Sequence, residues 1–193
     1  MSAMRSRRLG RELNELNKVV TQRQKALEDL QVAQRDLAAA EAAQNAAALS
    51  CANARITQAK ISASSCEPFV SVKADDLKEW QIEICGSSGT LYEGELFNLR
   101  FRFDDNYPIE SPEVVFVGKP PLHPHVYSNG HICLSILYDQ WSPALTVQAL
   151  CVSIASMLAS AESRTAPPND QAYVSKRIES PKKVQWTFHD DKC

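Results

Sequence analysis

The sequence predicts an α+β fold class, in which helices pack against one antiparallel sheet. Two patterns indicate this fold class. Apolar residues alternate with polar ones over 80–85 and 97–103, which is the period of strands with one buried face. Over 147–161 the apolar residues instead recur at three- and four-residue spacing, which is typical of a helix that covers such a face.

The beginning of the chain predicts a long helix. Apolar residues recur there at alternating four- and three-residue steps, as in a heptad repeat. Arg23 and Gln34 interrupt this repeat. The apolar positions are Leu9, Leu13, Leu16, Val20, Leu27, Leu30 and Leu37. An alanine-rich run continues this helix to about Leu49, but alanine supplies little apolar area to bury. Two interpretations stay open, a solvated single helix or a coiled-coil contact with a partner or with itself. The small, polar residues 50–65 predict a linker.

The middle of the chain predicts three or four strands in meander order. The glycines at 86 and 89 separate the two alternating runs and indicate a hairpin turn. Residues 114–117 form a third, β-branched run between prolines. A helix follows, and Pro143 and Thr146 suit its start. From Pro167 onward the chain is polar, and we expect a flexible tail.

Charge and composition limit the classes of partner. The net charge is −2, with 10 Lys and Arg against 6 Asp and Glu in residues 1–66 and 11 against 17 in residues 67–193. This balance gives no nucleic-acid signature, although a basic front end can meet an acidic protein surface. No apolar run reaches the ~20 residues that span a bilayer, and no signal-type core follows the N-terminus. We expect a cytoplasmic or nuclear protein without nucleic-acid or membrane partners, whose six scattered cysteines stay thiols.

A dense block of chemically able side chains lies between the last strand and the helix: His123, His125, His131 and Cys133. Their types would suit a structural zinc site, but Pro124 makes convergence of all four doubtful. A Cys–His hydrolase would need a histidine that activates Cys133, and no protease signature surrounds it. The third alternative is a cysteine that carries an acyl group without a dedicated triad.

The motifs around this block favour the third alternative. They are His123-Pro124, Asn129-Gly130, Ile132-Cys133-Leu134, Trp141-Ser142-Pro143 and, earlier, Tyr107-Pro108 with Pro112. In order and spacing they resemble the active-site segment of ubiquitin-conjugating enzymes. Histidine at 125, where that family usually has asparagine, is similar to its W type, as are Pro-Pro-Asn-Asp at 167–170 and the two ends of the chain.

The resemblance implies the ubiquitin-conjugating fold. Residues 1–16 would be its first helix, 67–166 its core with a four-stranded antiparallel meander, an active-site loop and a central helix, and 167–193 a flexible tail. The Ala-rich segment 17–66 would be an inserted, coiled-coil-like helix and linker, because the family has only a short loop there.

The resemblance also implies the chemistry. Cys133 would accept the C-terminus of ubiquitin as a thioester, His125 would support the site in place of asparagine, and Asn129 would belong to the active-site loop. No metal or bound cofactor is implied, and ATP would be used upstream by the activating enzyme. The W type implies transfer to the α-amino group of a substrate's flexible N-terminus rather than to lysine. Cys151, on the apolar stripe of the helix, is expected to be a core residue.

Partner surfaces follow from position in the family. Basic residues of the first helix would face the activating enzyme, at Arg7, Arg8 and Arg11. Two loops would receive RING or U-box ligases, at Pro108, Ile109, Ser142, Pro143 and Ala144. Two alternatives remain: a conjugating enzyme for a ubiquitin-like modifier, and a non-catalytic pathway adaptor that uses the coiled-coil-like helix.

Overall fold

A computed structural model describes residues 3–64, 68–186 and 188. The described strands are β1 (Phe69–Lys73), β2 (Glu79–Cys85), β3 (Leu96–Arg102) and β4 (Glu113–Val117). The described α-helices are α1 (Ala3–Ala42), α2 (Ala46–Ser64), α3 (Val147–Ala159) and α4 (Asp170–Val174), and two 3-10 turns span Ser135–Leu137 and Pro181–Lys183. No helix among these residues is long and apolar enough to cross a membrane.

The four strands form one antiparallel sheet in the order β1-β2-β3-β4, so the predicted meander is confirmed. Ile82 lies opposite Leu99, which in turn lies opposite Phe116, and all three side chains are buried. Gln81, the neighbour of Ile82, is exposed. Successive side chains of a strand point to opposite faces of the sheet, so buried and exposed residues alternate, and the sequence shows the same two-residue period.

Helix α3 covers the buried face of the sheet, as predicted. Leu150 and Ile154 of its apolar stripe lie in the same core as Trp80 of β2. The helix begins where expected, because the Thr146 hydroxyl accepts a hydrogen bond from the backbone N–H of Ala149 at 3.1 Å. Cys151 is fully buried in this core, so its predicted packing role is confirmed.

The inserted segment differs from the prediction. The first helix does not stop at residue 16 but continues unbroken to Ala42, and it does not reach Leu49. A short turn, in which Gln44 adopts a φ of 51°, reverses the chain. Residues 46–64 then form α2, so the prediction of a linker over 50–65 is wrong. Small, polar residues predict a linker, but here α1 packs against them, and packing of this kind stabilises a helix.

The two helices meet along an alanine seam. Heptad-spaced alanines are buried on both helices: Ala26, Ala33 and Ala40 on α1, and Ala52 and Ala59 on α2. Leu27, which the sequence pattern placed on the seam, is instead 37% exposed. The heptad is real but shifts by one residue after Arg23, because alanine lets two helix backbones approach closely. The solvated single helix is therefore wrong for this segment, because α1 packs against α2 of the same chain, and a coiled-coil contact with a partner stays a prediction.

Excision of this hairpin should leave the core intact. The core contacts of α1 end at Val20, and α2 packs mainly against α1. We expect a variant in which a short Gly-Ser loop replaces residues 23–62 to fold and to form the thioester that the family resemblance implies, as the full chain does. Circular dichroism and a charging assay check this. A folded variant that fails to charge would show that the hairpin takes part in the reaction.

The C-terminal segment also differs from the prediction. Residues 167–186 pack against the block that contains Cys133, and Tyr173 of α4 is buried there. The expectation of a flexible tail is therefore wrong for this part. Thr187 and residues 189–193 lie outside the described residues, as do Cys66 and Cys193.

Candidate active site

The loop that carries the His/Cys block lies along the edge of β4. Phe116 of this strand donates its backbone N–H to the Gly130 carbonyl at 2.9 Å, and Val115 forms an isolated bridge with His131. Gly130 has a φ of 86°, and a Cβ added there would lie 2.1 Å from the Phe116 carbonyl oxygen. The Asn129 side chain accepts the His131 backbone N–H at 3.2 Å. The Asn-Gly pair thus forms the turn that presents the following residues.

Cys133 lies in an open cavity of about 700 Å³ and is 9% exposed. Its backbone N–H donates to the His125 carbonyl at 2.8 Å. The described residues that also line the cavity come from the loop and the C-terminal segment: Pro124, His125, Tyr127, Pro167, Pro168, Asn169, Tyr173, Lys176, Ile178, Val184, Gln185 and Trp186. Burial raises the pKa of the Cys151 thiol, so that residue is no competitor as a nucleophile.

His123 is a structural residue. Its Nδ1 accepts the His125 backbone N–H at 2.9 Å, so Nε2 carries the proton and donates to the Met157 carbonyl at 3.1 Å. Burial lowers the pKa of His123 to about 4, and the neutral ring joins the loop to α3. Both nitrogens are therefore occupied, which removes His123 from metal binding and from acid–base work.

His131 and His125 also have fixed partners. The Nδ1 of His131 lies 2.8 Å from the Tyr173 hydroxyl, and burial lowers the pKa of His131. The Nδ1 of His125 lies 3.3 Å from the Cys133 carbonyl oxygen, to which it donates. Among the described residues, no three His, Cys, Asp or Glu side chains form a group that could hold a metal ion. The geometry therefore does not support the zinc alternative.

The C-terminal segment forms an aromatic wall beside Cys133, where the sequence analysis predicts a flexible tail. The rings of Tyr127 and Tyr173 lie 4.0 Å apart, and Trp186 lies within 5.7 Å of both. Two polar contacts fasten this wall, from the Tyr127 hydroxyl to Asn169 at 2.9 Å and from the backbone N–H of Ser128 to the Asp170 carboxylate at 2.7 Å. The available signal was the presence of aromatic residues in an otherwise polar segment.

The described lining of the cavity carries no negatively charged side chain. Among the described lining residues there is no carboxylate, and Lys176 is the cationic one. Burial raises the pKa values of the Tyr127 and Tyr173 hydroxyls, so both remain neutral. The lining residues thus offer no anionic group that would hold or deprotonate a lysine ammonium.

The two predicted ligase loops lie side by side. In the first loop Ile109 is 67% exposed, and in the second loop residues 142–144 are exposed as well. Trp141 donates its Nε1–H to the Pro108 carbonyl at 3.0 Å and so joins the loops. The resemblance implies a common ligase surface at Pro108, Ile109, Ser142, Pro143 and Ala144, and the structure joins the two loops that carry these residues through the contact of Trp141 with Pro108.

The three predicted basic residues of α1 differ in exposure and in contacts. Arg7 and Arg11 are exposed. Arg8 turns inward, where its Nε pairs with Glu12 and its Nη2 donates to the Leu145 carbonyl at 2.7 Å. Arg7 and Arg11 therefore remain available to a partner, whereas Arg8 has a role inside the domain.

Comparisons with known proteins agree with this geometry. A model of the family described as "Ubiquitin-conjugating enzyme" matches residues 52–188. The chain is 54% identical over 126 residues to a Dictyostelium discoideum protein described as probable ubiquitin-conjugating enzyme E2 W, which covers 64% of this chain and 85% of that protein. It is 55% identical over 119 residues to the Caenorhabditis elegans ubiquitin-conjugating enzyme E2 W, covering 61% and 78%. The crystal structure of ubiquitin-conjugating enzyme E2 UbcA1 from Agrocybe aegerita superposes with a TM-score of 0.57 at 45% identity, covering 58% of this chain and 83% of that one.

Proposed function

Because the chain belongs to the ubiquitin-conjugating enzyme family, whose members are transferases that act through a thioester, we propose that Cys133 carries ubiquitin as this thioester. The Cys133 thiolate attacks the carbonyl carbon of ubiquitin on the activating enzyme, a new C–S bond forms, and the cysteine of the activating enzyme leaves. ATP is used at that earlier enzyme, so this site needs no bound cofactor. The supporting observation is one cysteine at a cavity formed by the family's active-site motif.

The second step is attack by an amine on the thioester. The C–N bond forms as the C–S bond breaks, Cys133 leaves as the thiolate, and the amine loses its proton to solvent. A thiolate serves here because it is both a good nucleophile and a good leaving group. His125 supports this step by bracing the Cys133 backbone, since its carbonyl and its Nδ1 both contact that residue.

We propose substrate α-amino groups as the favoured acceptors. An α-amine has a pKa of about 7.7–8.0, against about 10.4 for lysine, so roughly a tenth of α-amines are free base at pH 7. A cavity whose described lining holds Lys176 and no carboxylate gives no help in deprotonating a lysine. Such a site therefore suits an amine that is already partly deprotonated at pH 7, namely the α-amino group at the flexible N-terminus of a substrate protein.

A charging assay tests the role of Cys133. With activating enzyme, ATP and ubiquitin, the protein should form an adduct that a reductant cleaves, and Cys133→Ser should form a reductant-resistant ester. Cys51→Ser is the matched control, because Cys51 is exposed on α2, away from the cavity. Absence of any adduct on the wild-type protein would contradict the enzymatic function and favour the adaptor alternative.

An acceptor assay tests the amine preference. The charged protein is mixed with a lysine-free peptide that has a free N-terminus, or with an N-acetylated peptide that contains lysine. At pH 7 we expect the first peptide to discharge the thioester faster, because more of its amine is free base. His125→Asn should weaken this preference if the histidine contributes to it. Equal discharge by both peptides would contradict the α-amine proposal while leaving conjugation itself intact.

Further aspects of this proposal follow from the family. The partners are ubiquitin, an activating enzyme that meets Arg7 and Arg11, and RING or U-box ligases at the two loops. A ubiquitin-like modifier is the alternative, and the charging assay distinguishes the two when each modifier is offered with its own activating enzyme. A cytoplasmic or nuclear location would keep the catalytic cysteine reduced.

A further inference from the structure

Glu12 of α1 is a buried carboxylate with donors from three directions. The residue is 6% exposed. Its Oε1 accepts from the Arg8 Nε and from the Tyr107 hydroxyl, the latter at 2.7 Å, and its Oε2 accepts the Val147 backbone N–H at 2.7 Å. A buried charge is tolerated only when it is paired and hydrogen-bonded. The donors must therefore meet at this carboxylate, and this requirement fixes the relative positions of the elements that carry them.

These elements are the ones that carry the proposed ligase loops. Tyr107 immediately precedes Pro108 of the first loop, and Val147 is the first residue of α3, just after the second loop. Trp141 joins the loops through its bond to the Pro108 carbonyl. The inward-turned Arg8 closes the ring through the Leu145 carbonyl at the end of the second loop. A closed ring of hydrogen bonds thus connects α1 with both loops.

The ring is built to persist at physiological pH. Burial raises the pKa of the Tyr107 hydroxyl, and the Glu12 charge raises it further, so this group stays protonated and donates. Charge-assisted hydrogen bonds of this type are stronger than neutral ones. The exposed residues that a ligase would touch, such as Ile109, thus lie on loops whose spacing is set underneath them by α1.

We propose that Glu12, assisted by Arg8, is a positioning residue that holds the two ligase-binding loops at their working separation, so that ligase affinity depends on a buried carboxylate. This inference rests on the proposed function, because that function assigns the loops to ligases. It gives Arg8 a different role from the contact with the activating enzyme that the sequence predicted.

Glu12→Gln is the principal test. Glutamine keeps the shape but has one acceptor oxygen, so it cannot serve both Val147 on one side and Tyr107 with Arg8 on the other. The probe is a purified RING domain that accelerates discharge of the charged wild-type protein, and each stimulated rate is divided by the variant's own unstimulated rate. The RING concentration for half-maximal stimulation should rise about fivefold or more, the usual lower range of coupling between sites, while the rate at saturation is retained. Glu15→Gln is the matched control, because Glu15 is an exposed carboxylate of the same helix and pairs with Lys18.

Two further measurements separate positioning from general destabilisation. Tyr107→Phe removes one donor without a buried charge change, and it carries the test if Glu12→Gln does not fold. If both residues act through one ring, the double variant should lose less than the two single losses combined. The Val147 amide proton resonance should also shift in Glu12→Gln and not in Glu15→Gln.

Three results would overturn the inference. One is a folded Glu12→Gln or Tyr107→Phe protein with wild-type half-saturation. Another is a loss confined to the maximal rate. The last is a wild-type protein that charges but responds to no RING or U-box domain tested. A wild-type protein that forms no thioester would instead overturn the proposed function, so the two failures are distinguishable.

Discussion

Alanine at position 130 is expected to disrupt the active-site loop and to abolish thioester formation on Cys133. Gly130 has a φ of 86°, which costs a residue with a Cβ about 1–2 kcal/mol. The added Cβ would also lie 2.1 Å from the Phe116 carbonyl oxygen, which is backbone and cannot swing aside. Either β4 or the loop must move, and the two hydrogen bonds of Gly130 to Tyr127 and Phe116 are lost with that movement. Urea unfolding and the charging assay measure both effects.

Gly118→Ala provides the matched control for this substitution. Gly118 has a similar φ of 78°, but a Cβ there meets nothing within 4 Å. This variant should lose only about 1–2 kcal/mol of unfolding free energy, from backbone strain alone, and should still form the thioester. A Gly130→Ala protein that is as stable as Gly118→Ala, or that charges normally, would show that the close approach to Phe116 is not required.

Acid should destabilise the protein through His123. The folded-state pKa of His123 is lowered to about 4 by burial, whereas an unfolded histidine titrates near 6.5. As pH falls through this window the unfolded state binds the proton first, so the free energy of unfolding decreases. The loss is absent above pH 6.5 and reaches about 3 kcal/mol near pH 4. Urea unfolding at pH 7.5 and 4.5 measures it.

His123→Gln isolates this contribution from those of carboxylates. Glutamine does not titrate, and its amide can still donate to the Met157 carbonyl, the partner of the histidine Nε2. The variant should be less stable than the wild type at pH 7.5, because the glutamine packs less well, but its stability should fall less between the two pH values. The same fall in both proteins would contradict a neutral, buried His123.

Much of the fold was predictable because it follows local periodicity. The alternation in β2 and β3, the β-branched run of β4 and the helical stripe of α3 each bury one face, and this burial dictates the spacing of apolar residues. The helical hairpin was not predicted beyond its first helix. Leu27 and Ala26 are neighbours on α1, and the sequence favoured leucine for the seam because leucine buries more area. The approach of two backbones, which only a second helix can provide, favours alanine.

The candidate active site could be located from the sequence where one residue is proposed to do the chemistry, but not where several distant residues meet. The motif identified Cys133, Asn129 and the two ligase loops, since these follow one another closely in the chain. The aromatic wall depends on Tyr173 and Trp186, which are about 40 to 50 residues from Cys133. Their contact with Tyr127 has no local signal. The contact of Arg8 with the Leu145 carbonyl, 137 residues away in the chain, has no local signal either, so the sequence pattern does not separate Arg8 from Arg7 and Arg11.

The sequence by itself determined the α+β class, the order of the strands and the choice of Cys133 as the cysteine proposed to react, because each depends on spacing within a short segment. Only the tertiary structure decided that residues 17–64 form a hairpin with an alanine seam, that residues 167–186 line the cavity, and that Glu12 joins α1 to both loops. These features depend on which groups meet across long separations in the chain. A buried charge or hydrogen-bonding group needs a partner, and the partner is whichever group lies next to it in the folded chain. That neighbour can be far away in the sequence.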